Sequence, residues 1–379
     1  MRGKNYDRLF LSIVLILVFL GIFIFSSAAL GLIEEGVDSY LYIVIKQIII
    51  GLLLGTGALY IMSGIYYKEW QKYAVYIFIF SVIVTLLVFA PGFGINTMGA
   101  RRWIDLGIIS FQPSEFLKFG FVIYFASWLT SKKDKLDTLT SGFLPAMLIL
   151  AIPSAVLLSQ PDTGTLLCIL LAGVAMYFVA GGKIKHLALL LIVALIAISY
   201  VIFTRPYAMA RITTFLDPQA DPLGAGYQIR QALIAIGSGG IAGRGFGQSI
   251  QKFNFLPEPL GDAIFAVYAE EFGFIGSTLI VMLYLAFTLR GLRLSSRSPD
   301  QFSRLLALGI VILISAQSFI NIGAMLSILP LTGVPLLFIS HGGTALLFAL
   351  AEVGLLLNIS KFSTIKKISN SCRRFSISS

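Results

Sequence analysis

Ionisable residues are scarce in this sequence, so each one inside or beside an apolar run is a candidate for chemistry. Asp262 follows Leu256-Pro-Glu-Pro-Leu-Gly261 and opens a long apolar run. A carboxylate at a helix start faces the positive end of the helix dipole, which favours its ionised form. Such a group can act as a general base or bind a divalent cation. The plainer alternative is an N-cap, and the two roles are compatible. Glu115 and Lys118 come just after Phe111-Gln-Pro-Ser114. Their i,i+3 spacing places them on one helix face, and Pro113 suits a first helical position. Charges inside a membrane usually face a protein interior or a wet cavity. The pair is therefore either a structural ion pair or the wall of a polar cavity that touches substrate.

Arg101 and Arg102 stand in Gly99-Ala-Arg-Arg-Trp103. Arginine's planar fork matches phosphate, so the pair reads as a site for a phosphate-bearing ligand or for anionic headgroups. Lys46 can join the same patch, and Arg205, Arg211, Arg230, Arg244 and Lys252 extend it against Asp217, Asp221 and Glu258. In Gln160-Pro-Asp162-Thr-Gly-Thr165, Asp162 either holds a cation, pairs with an arginine, or caps the turn. Glu270 and Glu271 lie roughly 12 Å further along the helix from Asp262, as a relay or as interhelical hydrogen-bond partners. His186 and His341 have no zinc-like spacing, and which metal, if any, is bound stays unassigned. Gly237-x-Gly239-x-x-Ala242 lacks the strand–turn–helix context of a dinucleotide fingerprint, and no Walker sequence occurs.

The elements that must position these groups are membrane helices. Of 379 residues, 57% are hydrophobic and only 12% charged, with mean hydropathy +0.90. Soluble domains carry about 25% charged residues, and roughly 20 apolar residues cross a bilayer. The apolar runs predict an all-α, polytopic integral membrane protein with ten transmembrane helices near 9–30, 41–63, 73–90, 113–130, 142–159, 163–181, 186–203, 262–289, 304–329 and 335–358. The chain reads as one domain, 1–379, with a long extracytoplasmic loop at 204–261 between spans seven and eight and a basic tail at 361–379. An even span count puts both termini on one side. Most of the 28 lysines and arginines fall on that side, while the first opposite loop holds Glu34, Glu35 and Asp38. The positive-inside rule makes both termini cytoplasmic. The first run is too long for a signal peptide and lacks a cleavage site. Net charge is +10, but the basic residues sit in short clusters between apolar runs, which excludes nucleic acid as the partner. Cys168 lies in an apolar run and Cys372 in the tail, so no structural disulfide is expected. No internal repeat supports an inverted-repeat transporter.

Taken together these motifs resemble the SEDS family of cell-wall proteins (FtsW/RodA/SpoVE-type). The resemblance covers nearly the whole chain, most strongly at Gly99-Ala-Arg-Arg-Trp-Ile104, Phe111-Gln-Pro-Ser-Glu-Phe-Leu-Lys118, Gln160-Pro-Asp162, 231–276, Asn321-Ile-Gly323, Gly333-Val-Pro-Leu336 and Ile339-Ser-His-Gly-Gly343. It implies a peptidoglycan glycosyltransferase in the bacterial cytoplasmic membrane that polymerises lipid II into glycan strands on the outer face. The implied catalytic residue is Asp262. The implied substrate-binding set is Arg101, Arg102, Lys46, Glu115, Lys118, Asp162 and Ser340. The implied partners are a class B penicillin-binding protein (a transpeptidase), other divisome or elongasome membrane proteins, and lipid II with its lipid-linked glycan. No cofactor is required by the resemblance beyond a possible divalent cation, magnesium or manganese. Gly243-Arg-Gly-Phe-Gly-Gln-Ser-Ile-Gln-Lys252 and Leu256-Pro-Glu-Pro259 look more like the division (FtsW) branch than the elongation (RodA) branch. The sequence departs from the family pattern in having Leu260-Gly261 before the aspartate and His341 where tyrosine is common. A lipid II flippase is the alternative from the transporter class.

Overall fold

The structure, a computed structural model, describes residues 6–35, 37–97, 100–105, 110–186, 188–189, 206–217 and 224–375. Helix α1 spans Arg8–Ala29 and starts where the Asp7 carboxylate accepts from Phe10 N at 3.0 Å. Helices α2 (Val37–Lys46) and α3 (Gly55–Gly64) are joined by a π-helical segment, Gln47–Leu54. The bundle continues with α4 (Tyr67–Lys72), α5 (Ala74–Leu86), α6 (Pro113–Ser131), α7 (Leu144–Ser159) and α8 (Thr163–Val179). Two shorter helices, α9 (Pro206–Leu216) and α10 (Ala225–Ser238), precede α11 (Ile264–Ser296), α12 (Gln301–Met325) and α13 (Gly343–Phe375).

Among the described residues six helical segments are long and apolar enough to cross a membrane: Arg8–Ile33, Tyr40–Gly64, Leu139–Ser159, Ile264–Ser296, Gln301–Met325 and Gly343–Ser363. They coincide with six of the ten expected spans. Ala74–Phe89 and Thr163–Val179 are apolar but shorter. The expected seventh span, 186–203, lies almost wholly outside the described residues. The surface identifies the solvent: Phe19, Tyr76, Leu148 and Phe274 are each about 70% exposed on helix flanks. Large apolar side chains displayed on this scale belong against lipid tails. The chain is a multi-pass membrane protein. Helix α12 is its axis, packed by α6, α8, α11 and α13, and 83% of its apolar window is buried, against 28% for α11.

Two expectations need correction. The fold is mostly helical but not all-α, because Gly94–Thr97 (β1), Ala100–Asp105 (β2) and Ser110–Phe111 (β3) form a three-stranded antiparallel sheet. This segment is too polar to span, and a hairpin pairs its backbone without hydrocarbon. The last span begins at Gly343 rather than 335. Pro335 lacks a donor, and Gly333 and Phe338 have φ of 69° and 71°, so 330–342 runs as an irregular segment across the bundle end.

Helix α11 is broken at Gly273, where φ is 62° and ψ −160°. The break frees backbone groups of α11, and the glycine-rich run takes them up. Arg244 N and Gly245 N donate to the carbonyls of Glu270 and Glu271 at 3.0 and 2.9 Å, and Phe274 N donates to Gly240 O at 2.9 Å. A Cβ on Gly239 or Gly243 would meet a backbone oxygen of α11 at 2.1 Å. Close backbone packing is therefore the reason for these glycines, and the N–H groups of 244 and 245 are already used.

Candidate active site

Asp262 sits in the turn two residues ahead of the spanning helix α11, at the bundle end opposite the chain's N-terminus. It is not the cap of α11. That position is Ala263, and no side chain caps the helix. Instead its Oδ1 accepts from Gln228 Nε2 at 3.2 Å, a side chain supplied by α10. Its carbonyl accepts from Asn321 Nδ2 at 2.8 Å, and the same amide donates to Val334 O at 2.8 Å. Buried Asn321 on α12 thus fixes both the Asp262 turn and the irregular 330–342 segment. Burial, and then the neighbouring Glu258 carboxylate, push the Asp262 carboxyl up to about 6; hydrogen bonds, including that from Gln228, and the Arg211 cation pull the other way. Desolvation outweighs the helix dipole here, contrary to the expectation from position alone.

Of the other cations singled out, Arg211 is the one whose charge is felt at this carboxylate. Arg211 on α9 donates to Thr332 O at 3.2 Å and to Thr163 Oγ1 at 3.4 Å. Arg102 on β2 donates through Nε to Gln160 O at 3.2 Å and through Nη2 to Pro161 O. Asp162 caps α8 by accepting from Thr165 N at 3.3 Å, while its buried Oδ2 has no hydrogen-bond partner among the described residues. Arg101 is exposed on β2. Lys46 Nζ donates to Ser110 Oγ at 3.3 Å and stands 5.6 Å from the Tyr42 ring centroid.

Glu115 and Lys118 are a buried ion pair at 2.8 Å. Lys118 also donates to Gln317 Oε1 at 2.5 Å, and Gln317 donates to Pro335 O at 3.2 Å, so the pair supports the irregular segment from below. Ser340 is buried, and its hydroxyl accepts from Leu336 N at 2.8 Å. It closes a turn. The π segment serves the same turn, since Gln47 donates to Ser340 O and accepts from Gly342 N, both at 3.3 Å. Burial and the Lys46 charge hold His341 down at about 4, so the ring is neutral at ordinary pH. Glu270 and Glu271 form no relay toward Asp262. Glu271 binds Lys252 at 2.9 Å and Ser27 Oγ at 2.7 Å, while Glu270 accepts from Ser249 Oγ at 2.6 Å and from Ile250 N and Gln251 N, both at 3.2 Å.

Gln228 and Gln317 matter here but were not singled out from sequence, and Asn321 was noted only as part of a motif. Each is a neutral amide inside an apolar helix, a placement that costs free energy unless the amide is hydrogen-bonded. That cost is the signal that could have found them.

A lipid-exposed helical bundle with a half-buried carboxylate just ahead of one spanning helix defines a membrane protein with a polar site at an end of its bundle. Comparison with known proteins makes the class specific. The FtsW/RodA/SpoVE family model, described as cell cycle protein, matches residues 7–365. A probable peptidoglycan glycosyltransferase FtsW of Geobacter sp. (strain M18) is 39% identical over 360 residues, covering 95% of this chain and 98% of that protein. Stage V sporulation protein E of Bacillus subtilis is 37% identical over 363 residues, covering 96% and 99%. Among solved structures, a chain from work on the structural coordination of polymerization and crosslinking by a peptidoglycan synthase complex superposes with TM-score 0.78 at 25% identity, covering 95% of this chain and 98% of that one. The chain belongs to the FtsW/RodA/SpoVE family.

Proposed function

We infer that the chain is a peptidoglycan glycosyltransferase that polymerises lipid II, in the septal role of its FtsW relatives. The observation that carries the mechanism is Asp262, a carboxylate held by Gln228 with its affinity for protons raised to about 6. A general base works best when its pKa lies near the working pH. Asp262 takes the proton of the acceptor sugar hydroxyl as that oxygen bonds to the donor's anomeric carbon. The bond from that carbon to the lipid pyrophosphate breaks, and the pyrophosphate leaves with the electron pair. Attack opposite the leaving group inverts the carbon and needs no covalent intermediate, as in inverting glycosidases. Arg101, Arg102 and Lys46 form the cationic side of the site, suited to the charge that grows on the leaving group.

No three His, Cys, Asp or Glu side chains among the described residues converge on a metal position. Magnesium at pyrophosphate sites needs only one or two carboxylates, with water and phosphate oxygens completing its shell. Asp262 and the neighbouring Glu258 fit that donor set, and a magnesium or manganese ion there would supply positive charge to the pyrophosphate. On this reading the chain is one ten-span domain in the bacterial cytoplasmic membrane. The loop at 204–261 is outside with Asp262, both termini are in the cytoplasm, and a class B penicillin-binding protein crosslinks the product. A polymerase fits better than a flippase, because Lys118 and Lys252 are paired inside the bundle rather than lining a conduit.

The test is polymerisation of labelled lipid II by the purified protein with its transpeptidase. Asp262→Asn should fold normally and lose at least 100-fold in rate, the lower range for a lost general base. Polymerisation at the wild-type rate would remove Asp262 from the chemistry, and movement of lipid II across liposomes without polymer would favour the flippase.

A further inference from the structure

At the bundle end remote from Asp262, roughly 40 Å of helix away along α11, lies a cavity of about 350 Å³ that the glycosyltransferase reading leaves unused. It is enclosed by the start of α1, the last turns of α11 and Ser360 and Ser363 of α13. Its charged groups are Asp7, Arg8, Arg290, Arg293 and Arg297.

One of those arginines is satisfied. Arg290 donates to the Asp7 carboxylate from Nε at 2.9 and 3.2 Å and from Nη2 at 3.0 Å, while the Asp7 N–H donates to Ser360 Oγ at 3.0 Å. This fixes one wall of the cavity. The side chains of Arg8, Arg293 and Arg297 are exposed and make no hydrogen bond or ion pair among the described residues. Arg293 and Arg297 are i,i+4 neighbours, where like charges repel. Asp300, three residues past Arg297, is already engaged by Tyr67 Oη at 2.6 Å and Ser303 N at 2.9 Å, and neither 1–5 nor 364–379 contains an aspartate or glutamate. A general excess of positive charge on the cytoplasmic side explains basic residues there, but not their convergence on one concavity.

We propose that this cavity binds the phosphate headgroup of an anionic glycerophospholipid from the cytoplasmic leaflet. Three free guanidinium forks facing one space suit a phosphodiester's oxygens. The surroundings select a lipid over a soluble anion: Leu9 lines the cavity, and the same helix exposes Ile16 and Phe19 further along, at 47% and 70%. An acyl chain can follow that apolar flank while the headgroup stays in the basic pocket, the arrangement of basic headgroup pockets between transmembrane helices.

The experiment uses the full chain in nanodiscs or detergent, with bound phosphatidylglycerol counted by native mass spectrometry against phosphatidylcholine. Wild type should retain phosphatidylglycerol selectively. Arg293→Gln with Arg297→Gln should weaken its binding about thirtyfold, at about fivefold per arginine. Arg8→Gln, on a different helix, should weaken it about fivefold. Lys132→Gln with Lys133→Gln, an exposed basic pair elsewhere, should leave it unchanged. Equal losses in the lysine variant would reduce the effect to general surface charge and overturn the site. Unchanged binding in the arginine variants would overturn it too. Displacement of the lipid by millimolar inorganic phosphate would make the ligand a soluble anion instead. All variants replace exposed side chains, and an unaltered unfolding temperature checks their fold.

Discussion

Replacing Gln228 with leucine should move the acid limb of polymerisation upward in pH. The Gln228 amide donates to Asp262 Oδ1 at 3.2 Å, and it stabilises the ionised carboxylate, holding the proton affinity down against burial. Charge-assisted hydrogen bonds are usually 2.7–2.9 Å, so this one belongs at the weak end. A contribution of about 1 kcal/mol follows, which corresponds to about 0.7 of a pH unit. The base must be ionised to work, so activity falls as pH drops through its pKa. For the wild type that limb lies at about 6, and for Gln228→Leu it should lie about 0.7 unit higher. Glu258→Gln provides a control of opposite sign: Glu258's charge raises the Asp262 value, and removing it should move the limb down. The assay is kcat/KM for labelled lipid II between about pH 5.5 and 8.5. Gln228→Leu should converge on the wild-type rate at the alkaline end, while Glu258→Gln is read by the position of its limb alone. A limb that stays in place in both would refute Asp262 as the titrating base.

His341→Asn should leave the limb where it is, because the wild-type ring is already neutral above about 4; loss of the limb in a pH–rate profile would reassign it to the histidine. Glu271→Leu leaves Lys252 charged and unpaired in a fully buried position, at a cost of about 3–5 kcal/mol. Adding Lys252→Met should recover most of that loss in detergent unfolding curves, since an apolar replacement of both partners is often near neutral.

Much of the fold was legible because hydropathy is a local property. Six of the expected spans recur as helices long and apolar enough to cross a membrane, and Pro113 begins α6 as its position in the sequence suggested. Within the long loop, the apolar stretch Ile229–Ile236 lies inside the helix at 225–238. The sheet at 94–111 was missed since its strands are short and polar, and the late start of α13 was missed because an apolar run reads as helix even when Pro335 and two positive-φ residues break it. At the site, Asp262, Arg102, Glu115 and Lys118 stood out by residue type and position; that the Ser340 hydroxyl closes a turn was not legible. For Glu270 and Glu271 the choice between relay and hydrogen bonding rested on Lys252 and Ser249, which approach only through the folded loop.

By itself the sequence determined that the chain lives in a membrane, where six of its spanning helices run, and which charges are too costly to be incidental. A spanning helix satisfies its own backbone, so those properties need no knowledge of neighbours. The tertiary structure alone decided what each charge meets. Asp262 is not the helix cap that was its plainer alternative; it gained Gln228 from α10 and Asn321 from α12, and acquired a raised proton affinity from burial that no local pattern encodes. Desolvation and hydrogen bonding depend on residues far away along the chain, and only packing brings them within 3 Å or so of one another.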